Sequence, residues 1–327
     1  MRSAGQDGTE KSDNRRRRML FKKVNRLFRP AVFGLLRFSG LPLLIRELWQ
    51  RDKVTIVVYH ALEAARAEAH FVALRRHYNV ISLSDFLEAR SGQMTERLPP
   101  KALIITFDDG HRSNYELAPL IRRHRFPITI FVCSGIVGTY RHYWWLETND
   151  SDEAQALKAL PDEQRVQALL RRGHEDRREY GTRQSLSRDE IAEMRSTVDF
   201  QSHTVFHPIL PACSIERATR EVIESKETLE SEHGLRIYAL AYPNGDYSHR
   251  EVGLLQNAGY TCGLTMDAGF NDSETDPFRL RRVALPDDGG VNEVIVKISG
   301  LWAWLKAFGS RYRKCQRYAP WFRGNDE

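Results

Sequence analysis

The sequence predicts an α/β protein: a distorted (β/α) barrel of about seven or eight parallel strands. Three observations predict it. From residue 54 onward, short β-branched runs alternate with helical patterns, the signature of parallel βαβ units. A chain of 327 residues with 41% hydrophobic content can bury a core of barrel size. Polar and titratable residues gather where several of the expected strands end, and in such barrels the βα loops converge on that rim.

Val54–Tyr59 (VTIVVY) is the first strand and runs into His60. Helical spacing follows through 71–77, then a short strand over 80–82. Ala102–Phe107 (ALIITF) is apolar almost throughout and stops at Asp108-Asp109-Gly110, as a buried parallel strand entering a turn does. Residues 114–124 repeat apolar side chains at helical spacing, and Pro127 introduces a strand over Ile128–Val132. Residues 138–186 break the rhythm. Beyond Trp144-Trp145 they are polar, charged and weakly helical, as an insertion or lid is. Ser187, with Glu190 three residues on, is a capping box that opens a helix. There follow a strand over Val198–Ser202, a long helix over Ile215–His233 closed by Gly234, and a strand over 236–241. A helix over 249–258 and strands over 262–265 and 280–285 complete a body spanning 54–290. Residues 291–327 read as a C-terminal helix and tail.

Charge is unevenly placed. Residues 1–30 hold ten Lys and Arg against three Asp and Glu, so the whole net charge of +6 resides in this leader. A polybasic leader suits either a solvated, disordered tail or attraction to anionic lipid. No aromatic–basic interleaving or nucleic-acid module accompanies it, so nucleic acid is not an expected partner. Mean hydropathy is −0.51 and no 18-residue apolar run occurs, which excludes a polytopic membrane protein. The apolar stretch 31–45 is interrupted by Arg37 and lacks a small-residue cleavage site, so it is expected to be retained rather than removed as a signal peptide. Over 31–53 the pattern gives two short amphipathic helices around Ser39-Gly40, suited to packing on the domain or to lying on a membrane surface. Trp302, Trp304, Tyr312, Tyr318, Trp321 and Phe322 form an aromatic C-terminal stripe with the same two readings. Cys133, Cys213, Cys262 and Cys315 have no paired spacing, which fits idle thiols in a reducing compartment. The expected location is cytoplasmic, with peripheral contact at the inner membrane surface through the leader.

Four strand ends carry chemistry: Tyr59-His60, Thr106-Phe107-Asp108-Asp109-Gly110, Ser202-His203-Thr204-Val205-Phe206-His207-Pro208 and Ala241-Tyr242-Pro243-Asn244-Gly245. Two histidines at i and i+4 plus one carboxylate from another strand make a three-ligand site for a divalent ion with positions left open. A second carboxylate beside it can act as general base toward water, an arrangement suited to hydrolysing an amide or ester.

These motifs together resemble the polysaccharide deacetylases of carbohydrate esterase family 4, in which TFDDG, H-[ST]-x-x-H and R-x-P-Y occur in this order. Val57-Val58-Tyr59-His60, Asp85-Phe86 and Trp144-Trp145 resemble the bacterial exopolysaccharide branch. The resemblance spans about 54–290 and implies a metal-dependent hydrolase removing N-acetyl groups from amino sugars of a polysaccharide or a lipid-linked glycan precursor. By position, Asp108 is the implied catalytic base. Asp109, His203 and His207 are the implied metal ligands, with zinc the usual ion. The backbone N–H of Asn244 is the implied oxyanion donor.

Two departures stand out. The family's Arg at the start of the third motif is Ala241 here, and Arg282 on the last strand is the candidate to orient Asp108 from another direction. The family's Leu-x-His, source of the general acid, is absent from 280–290; His60 is the candidate acid, with His111 and His249 behind it. The same departures also suit an inactive carbohydrate-binding or scaffold protein on this fold.

Overall fold

The computed structural model describes residues 27–92 and 97–308. In chain order the helices and strands are α1 (Leu27–Phe38), α2 (Leu41–Leu48), β1 (Val54–Tyr59), α3 (Ala64–His77), β2 (Asn79–Val80), α4 (Leu83–Arg90), β3 (Ala102–Phe107), α5 (Ala118–His124), β4 (Ile128–Val132), α6 (Ser151–Lys158) and α7 (Asp162–Leu170). The series continues with α8 (Arg188–Met194), β5 (Val198–Ser202), α9 (Ile215–His233), β6 (Ala239–Ala241), α10 (His249–Asn257), β7 (Cys262–Leu264), β8 (Val283–Ala284), α11 (Val291–Ile298) and α12 (301–308). The strands pair in parallel in the order β7-β6-β5-β4-β3-β1-β8, with β2 against the start of β3.

The sheet curls into a half-barrel, and one irregular segment spans its open side. Leu280 bridges to Leu264 at the end of β7, while Val283 and Ala284 pair with Val57 and Val58 of β1. Only Val283–Ala284 forms ladder in the stretch predicted as a strand over 280–285, because the segment changes partner partway along. Alternate residues of each strand serve opposite faces. Val57, Tyr59, Leu103 and Ile105 pack outward on the helices, whereas Ile56, Ile104, Phe131, Ala241 and Leu264 fill the interior. Every residue of β1, β3 and β4 is buried, which is why these strands read as continuous apolar runs.

Local chemistry explains the remaining boundaries. Ser187 and Glu190 form the predicted capping box on α8. Ser214 caps α9, whose Ala218, Val222, Ser225 and Leu229 make one buried face, and Gly234 ends it at φ 61°. The helix expected over 71–77 starts earlier, at Ala64, since its first turns are alanine-rich and carry little hydrophobic signal. Ser82 leaves the predicted strand over 80–82 to cap α4 in a second capping box with Asp85. The strand expected over 236–241 shrinks to β6 because the Gln201 side chain takes over its backbone: Oε1 accepts from the N–H groups of Tyr238 and Ala239, and Nε2 donates to the Arg236 carbonyl. Residues 112–117 are a 3₁₀ turn leading into α5. The insertion 138–186 holds α6 and α7, anchored by buried Trp144, Leu157 and Leu169. Cys133, Cys213 and Cys262 are buried and unpaired; Cys315 lies outside the described residues.

At the periphery, α1 and α2 break at Gly40 (φ 80°), as the Ser39-Gly40 pair suggested. The leader is shorter than the predicted 1–30. Residues 27–30 already belong to α1, where Arg29 pairs with Glu293 at 2.5 Å and Asp288 at 3.2 Å; residues 1–26 lie outside the described residues. Phe33 packs on Val296 and Leu301, and its ring lies 4.9 Å from that of Trp302. Leu27, Leu35, Phe38, Leu48, Trp304 and Phe308 remain exposed, while Tyr312, Tyr318, Trp321 and Phe322 fall outside the described residues. No single described helix is long and apolar enough to cross a membrane; α1 and α2 reach that character only as a pair bent by 52°.

One buried carboxylate of α9 shapes the loop after β5. Glu221 Oε2 accepts from the N–H groups of Val205 and Phe206, 2.9 Å each. Burial pushes its carboxyl up to about 7, although those N–H groups and Arg217 pull it down. Because the folded pKa exceeds the unfolded one, Glu221 contributes most below about pH 4.5, and the contribution is lost as pH rises through 7. Glu221→Gln keeps an oxygen for both N–H groups without the charge. Urea unfolding at pH 5 and 7.5 should show the Gln variant gaining on wild type by up to about 3 kcal/mol at the higher pH. An unchanged difference between the two pH values would contradict the assignment.

Candidate active site

The ends of β1, β3, β5 and β6 meet at one rim, as barrel geometry requires. Tight backbone makes the convergence possible. Asp109 (φ 74°) and Gly110 (φ 76°) turn the chain sharply after β3. A Cβ on Gly110 would come within 2.7 Å of Val132, so only glycine fits. After β5, Thr204 (φ 66°) and His207 (φ 55°) also adopt left-handed backbone, and Thr204 Oγ1 accepts from the His207 N–H. Such non-glycine residues cost of order 1–3 kcal/mol each and concentrate at functional sites.

This backbone brings Asp109, His203 and His207 together, all buried, with one candidate donor atom from each lying within 4.8 Å of the others. Nε2 of His203 is 3.5 Å and Nε2 of His207 is 3.7 Å from Asp109 Oδ1. Ligand bonds of about 2.0–2.2 Å at tetrahedral angles separate donor atoms by about 3.4 Å, so the spacing fits a small divalent ion. Protonation states agree for Asp109 and His207. His203 Nδ1 donates to the Ala241 carbonyl at 2.7 Å, which turns its Nε2 toward Asp109. Burial opposes the charge on Asp109, but hydrogen bonds with His111 and His203 hold its carboxyl well below the usual range. Burial, reinforced by the neighbouring His203, pushes the His207 imidazole down to about 3, leaving it a neutral ligand. His203 is raised instead, because Asp108 and Asp109 outweigh its burial.

Asp108 stands beside this cluster, its Oδ2 4.0 Å from His203 Nε2. Arg282 grips it in a fork: Nη1 donates to Oδ1 at 2.7 Å and Nη2 to Oδ2 at 2.8 Å. The guanidinium is itself fixed by Nε donating to the Thr265 carbonyl at 2.8 Å, and its side chain is 0% exposed. Burial would raise the Asp108 pKa, yet Arg282, then His203, bring it below the ordinary carboxylate value. Arg282 thus holds both oxygens of Asp108 from the segment that follows β7.

His60 is half-buried at the end of β1, and its field reaches both Asp108 and Asp109. Its backbone N–H, with that of Ala61, donates to Asp287. His111 instead hydrogen-bonds Asp109 Oδ2 at 3.1 Å, and His249 is exposed with Nδ1 facing Arg279. Asn244 has φ 58°, and no described acceptor takes its N–H. Four neighbours escaped the sequence reading in these positions. Tyr143 donates to the Asp109 carbonyl at 2.9 Å, the Trp145 ring lies 4.3 Å from that of His207, Glu221 holds the loop between the histidines, and Lys158 of α6 donates to Asn244 Oδ1 at 2.8 Å. The Trp144-Trp145 pair was the one signal pointing toward any of them.

A family model described as polysaccharide deacetylase matches residues 95–263, and the chain belongs to that family. It is 22% identical over 242 residues to a Bacillus subtilis protein named as a polysaccharide deacetylase, YxkH, covering 71% of each chain. It is 21% identical over 283 residues to the poly-beta-1,6-N-acetyl-D-glucosamine N-deacetylase of Escherichia coli K12, covering 78% of this chain and 40% of that one. Among solved structures, the Streptococcus pyogenes deacetylase PplD superimposes with a TM-score of 0.56 at 19% identity, over 76% of this chain and 99% of that one. IcaB from Ammonifex degensii gives 0.58 at 19% identity, over 76% and 98%. The fold is the half-barrel of these deacetylases, and the chain is a hydrolase of the polysaccharide deacetylase class.

Replacing Arg282 with Met leaves the Asp108 charge buried and unpaired. Denaturant unfolding should show a loss of about 3–5 kcal/mol, with part of it recovered when Asp108→Asn is added. A wild-type-like single variant would show that the pair does not hold the site together.

Proposed function

We propose that the protein hydrolyses the N-acetyl amide of an amino sugar, in a polysaccharide or a lipid-linked glycan precursor, to a free amine and acetate. The observation that carries this reading is an ionised, guanidinium-held carboxylate, Asp108, set beside the Asp109–His203–His207 donor cluster at one rim. A divalent ion on those three residues, zinc in our reading, would supply Lewis acidity to the acetamide carbonyl and to a water.

The residues divide the remaining work. Asp108, locked by Arg282, accepts the proton of the attacking water. The Asn244 N–H donates to the carbonyl oxygen as negative charge builds on it. His60 delivers a proton to the leaving nitrogen as the C–N bond breaks. The competing reading as an inactive binding protein draws on Ala241 and the absent Leu-x-His; the Arg282 fork on Asp108 supports the active reading against the first of these.

We further propose a cytoplasmic location with peripheral attachment to the inner membrane surface. The exposed apolar side chains of α1, α2 and α12 and the basic residues that precede them support it.

Asp108→Asn should retain metal and fold while losing at least about 100-fold in kcat on an N-acetylglucosamine oligomer, measured as acetate released. More than about a tenth of wild-type turnover would remove Asp108 from the base role. His203→Ala and His207→Ala should lose bound metal by elemental analysis; full occupancy in both would refute the ligand set.

Deleting residues 1–26 removes nine of the leader's ten basic residues and leaves α1 intact. At about 1 kcal/mol per engaged residue, three contacts change partitioning onto anionic vesicles by about a hundredfold. Co-sedimentation at low and high salt reads this directly. Equal, salt-independent binding of the two proteins would rule the leader out as the attachment.

A further inference from the structure

We propose that Lys158 is a positioning residue for the deacetylation. By holding the Asn244 side chain it keeps the Asn244 peptide N–H aimed at the reacting carbonyl, making the 138–186 insertion a working wall of the active site. The proposal rests on the preceding reading of Asn244 as the oxyanion donor.

The Asn244 turn needs something to hold it. Asn244 (φ 58°) and Gly245 (φ 79°) are consecutive left-handed residues. Gly245 has no choice of identity, since a Cβ there would meet Met266 at 2.3 Å. Asn244 does carry a side chain; asparagine enters this region more readily than other L-residues because its short amide can hydrogen-bond nearby groups, so those bonds bear on how well the turn is held. Both ends of its amide are engaged. Oδ1 accepts from Lys158 Nζ at 2.8 Å, and Nδ2 donates to Asp246 Oδ2 at 2.5 Å. An ammonium can only donate and a carboxylate can only accept, so these partners dictate the amide's orientation.

Lys158 is unusual in its setting. It is half-buried at the last residue of α6 and, among the described residues, makes no salt bridge with a carboxylate. Burial pushes its pKa below the ordinary lysine value, while the fields of Asp109 and Asp246 pull it up, and its own charge is felt at His207. Removing an ammonium from water without a carboxylate partner is costly. The adjacent Leu157, buried with Trp144 and Leu169, fixes the helix end that carries it. The cation is therefore brought to the rim by packing, and it donates to the side chain of Asn244, one of the site residues with left-handed backbone.

The test compares zinc-loaded wild type, Lys158→Met, Lys158→Arg, Asn244→Gly and the Lys158→Met/Asn244→Gly double variant. Lys158→Met should lower kcat by about 10- to 100-fold with KM within about twofold and metal content unchanged. Lys158→Arg, which can still donate to Oδ1, should recover most of that loss. Glycine adopts the left-handed turn without strain, so Asn244→Gly isolates the side chain's hold. It should lose about as much as Lys158→Met, with the double variant no worse. Unchanged kcat in Lys158→Met, an effect confined to KM, or additive losses would each overturn the proposal. Hydrogen exchange of peptides covering 243–247 gives a second readout that does not depend on turnover. Exchange there should quicken in Lys158→Met while the rest of the barrel stays protected, and equal exchange would also overturn the proposal. Wild type that is inactive although loaded with metal would refute the deacetylase reading alone, leaving the exchange data to judge Lys158.

Discussion

The buried fork between Arg282 and Asp108 is the interaction on which the rest depends. Arg282 lies on the irregular segment that leaves β7 and joins β1, and Asp108 stands at the end of β3. Closing the barrel and pairing the Asp108 carboxylate with its guanidinium are therefore one event. An arrangement that left the segment undocked would strand an aspartate near two histidines and a second carboxylate without its compensating charge. The geometry is bidentate and the guanidinium is anchored to the Thr265 carbonyl, so the pair fixes direction as well as charge.

Around that pair the loops carry strain and groups from other segments carry its compensation. Asp109, Thr204, His207 and Asn244 are all non-glycine residues with left-handed backbone, and all four lie in the loops that form the site. Each is held by groups from elsewhere in the fold. Tyr143 binds the Asp109 carbonyl, Glu221 takes two N–H groups of the loop between the histidines, and Ala241 fixes the His203 ring. Several elements therefore share in fixing the positions of the donor atoms.

The peripheral helices follow different physics. One side of α1 and α2 packs on α11 and α12 through Phe33, Leu36 and Ile45, and the Arg29–Glu293 pair joins the same surfaces. The other side leaves large apolar residues in solvent, at a cost that a lipid surface would relieve. Packing and exposure thus occur on opposite faces of the same helices.

The sequence by itself determined the strands and helices whose signal is local. Val54–Tyr59, Ala102–Phe107, Ile128–Val132, Val198–Ser202 and Ile215–His233 have the predicted bounds, because burial on both faces, caps and a left-handed glycine are all written in adjacent residues. It also marked Asp108-Asp109, His203 and His207, since a loop turning out of a strand end presents its polar residues at the barrel rim, and the family resemblance singled out Asp109 of the pair. The partners from distant segments were decided only by the tertiary structure. That Arg282 faces Asp108, that 280–285 divides itself between two strands, and that Lys158 and Glu221 reach the site loops from α6 and α9 all follow from how far the sheet curls and which helix face it buries. Those are properties of the summed packing of the core, and no window of neighbouring residues contains them.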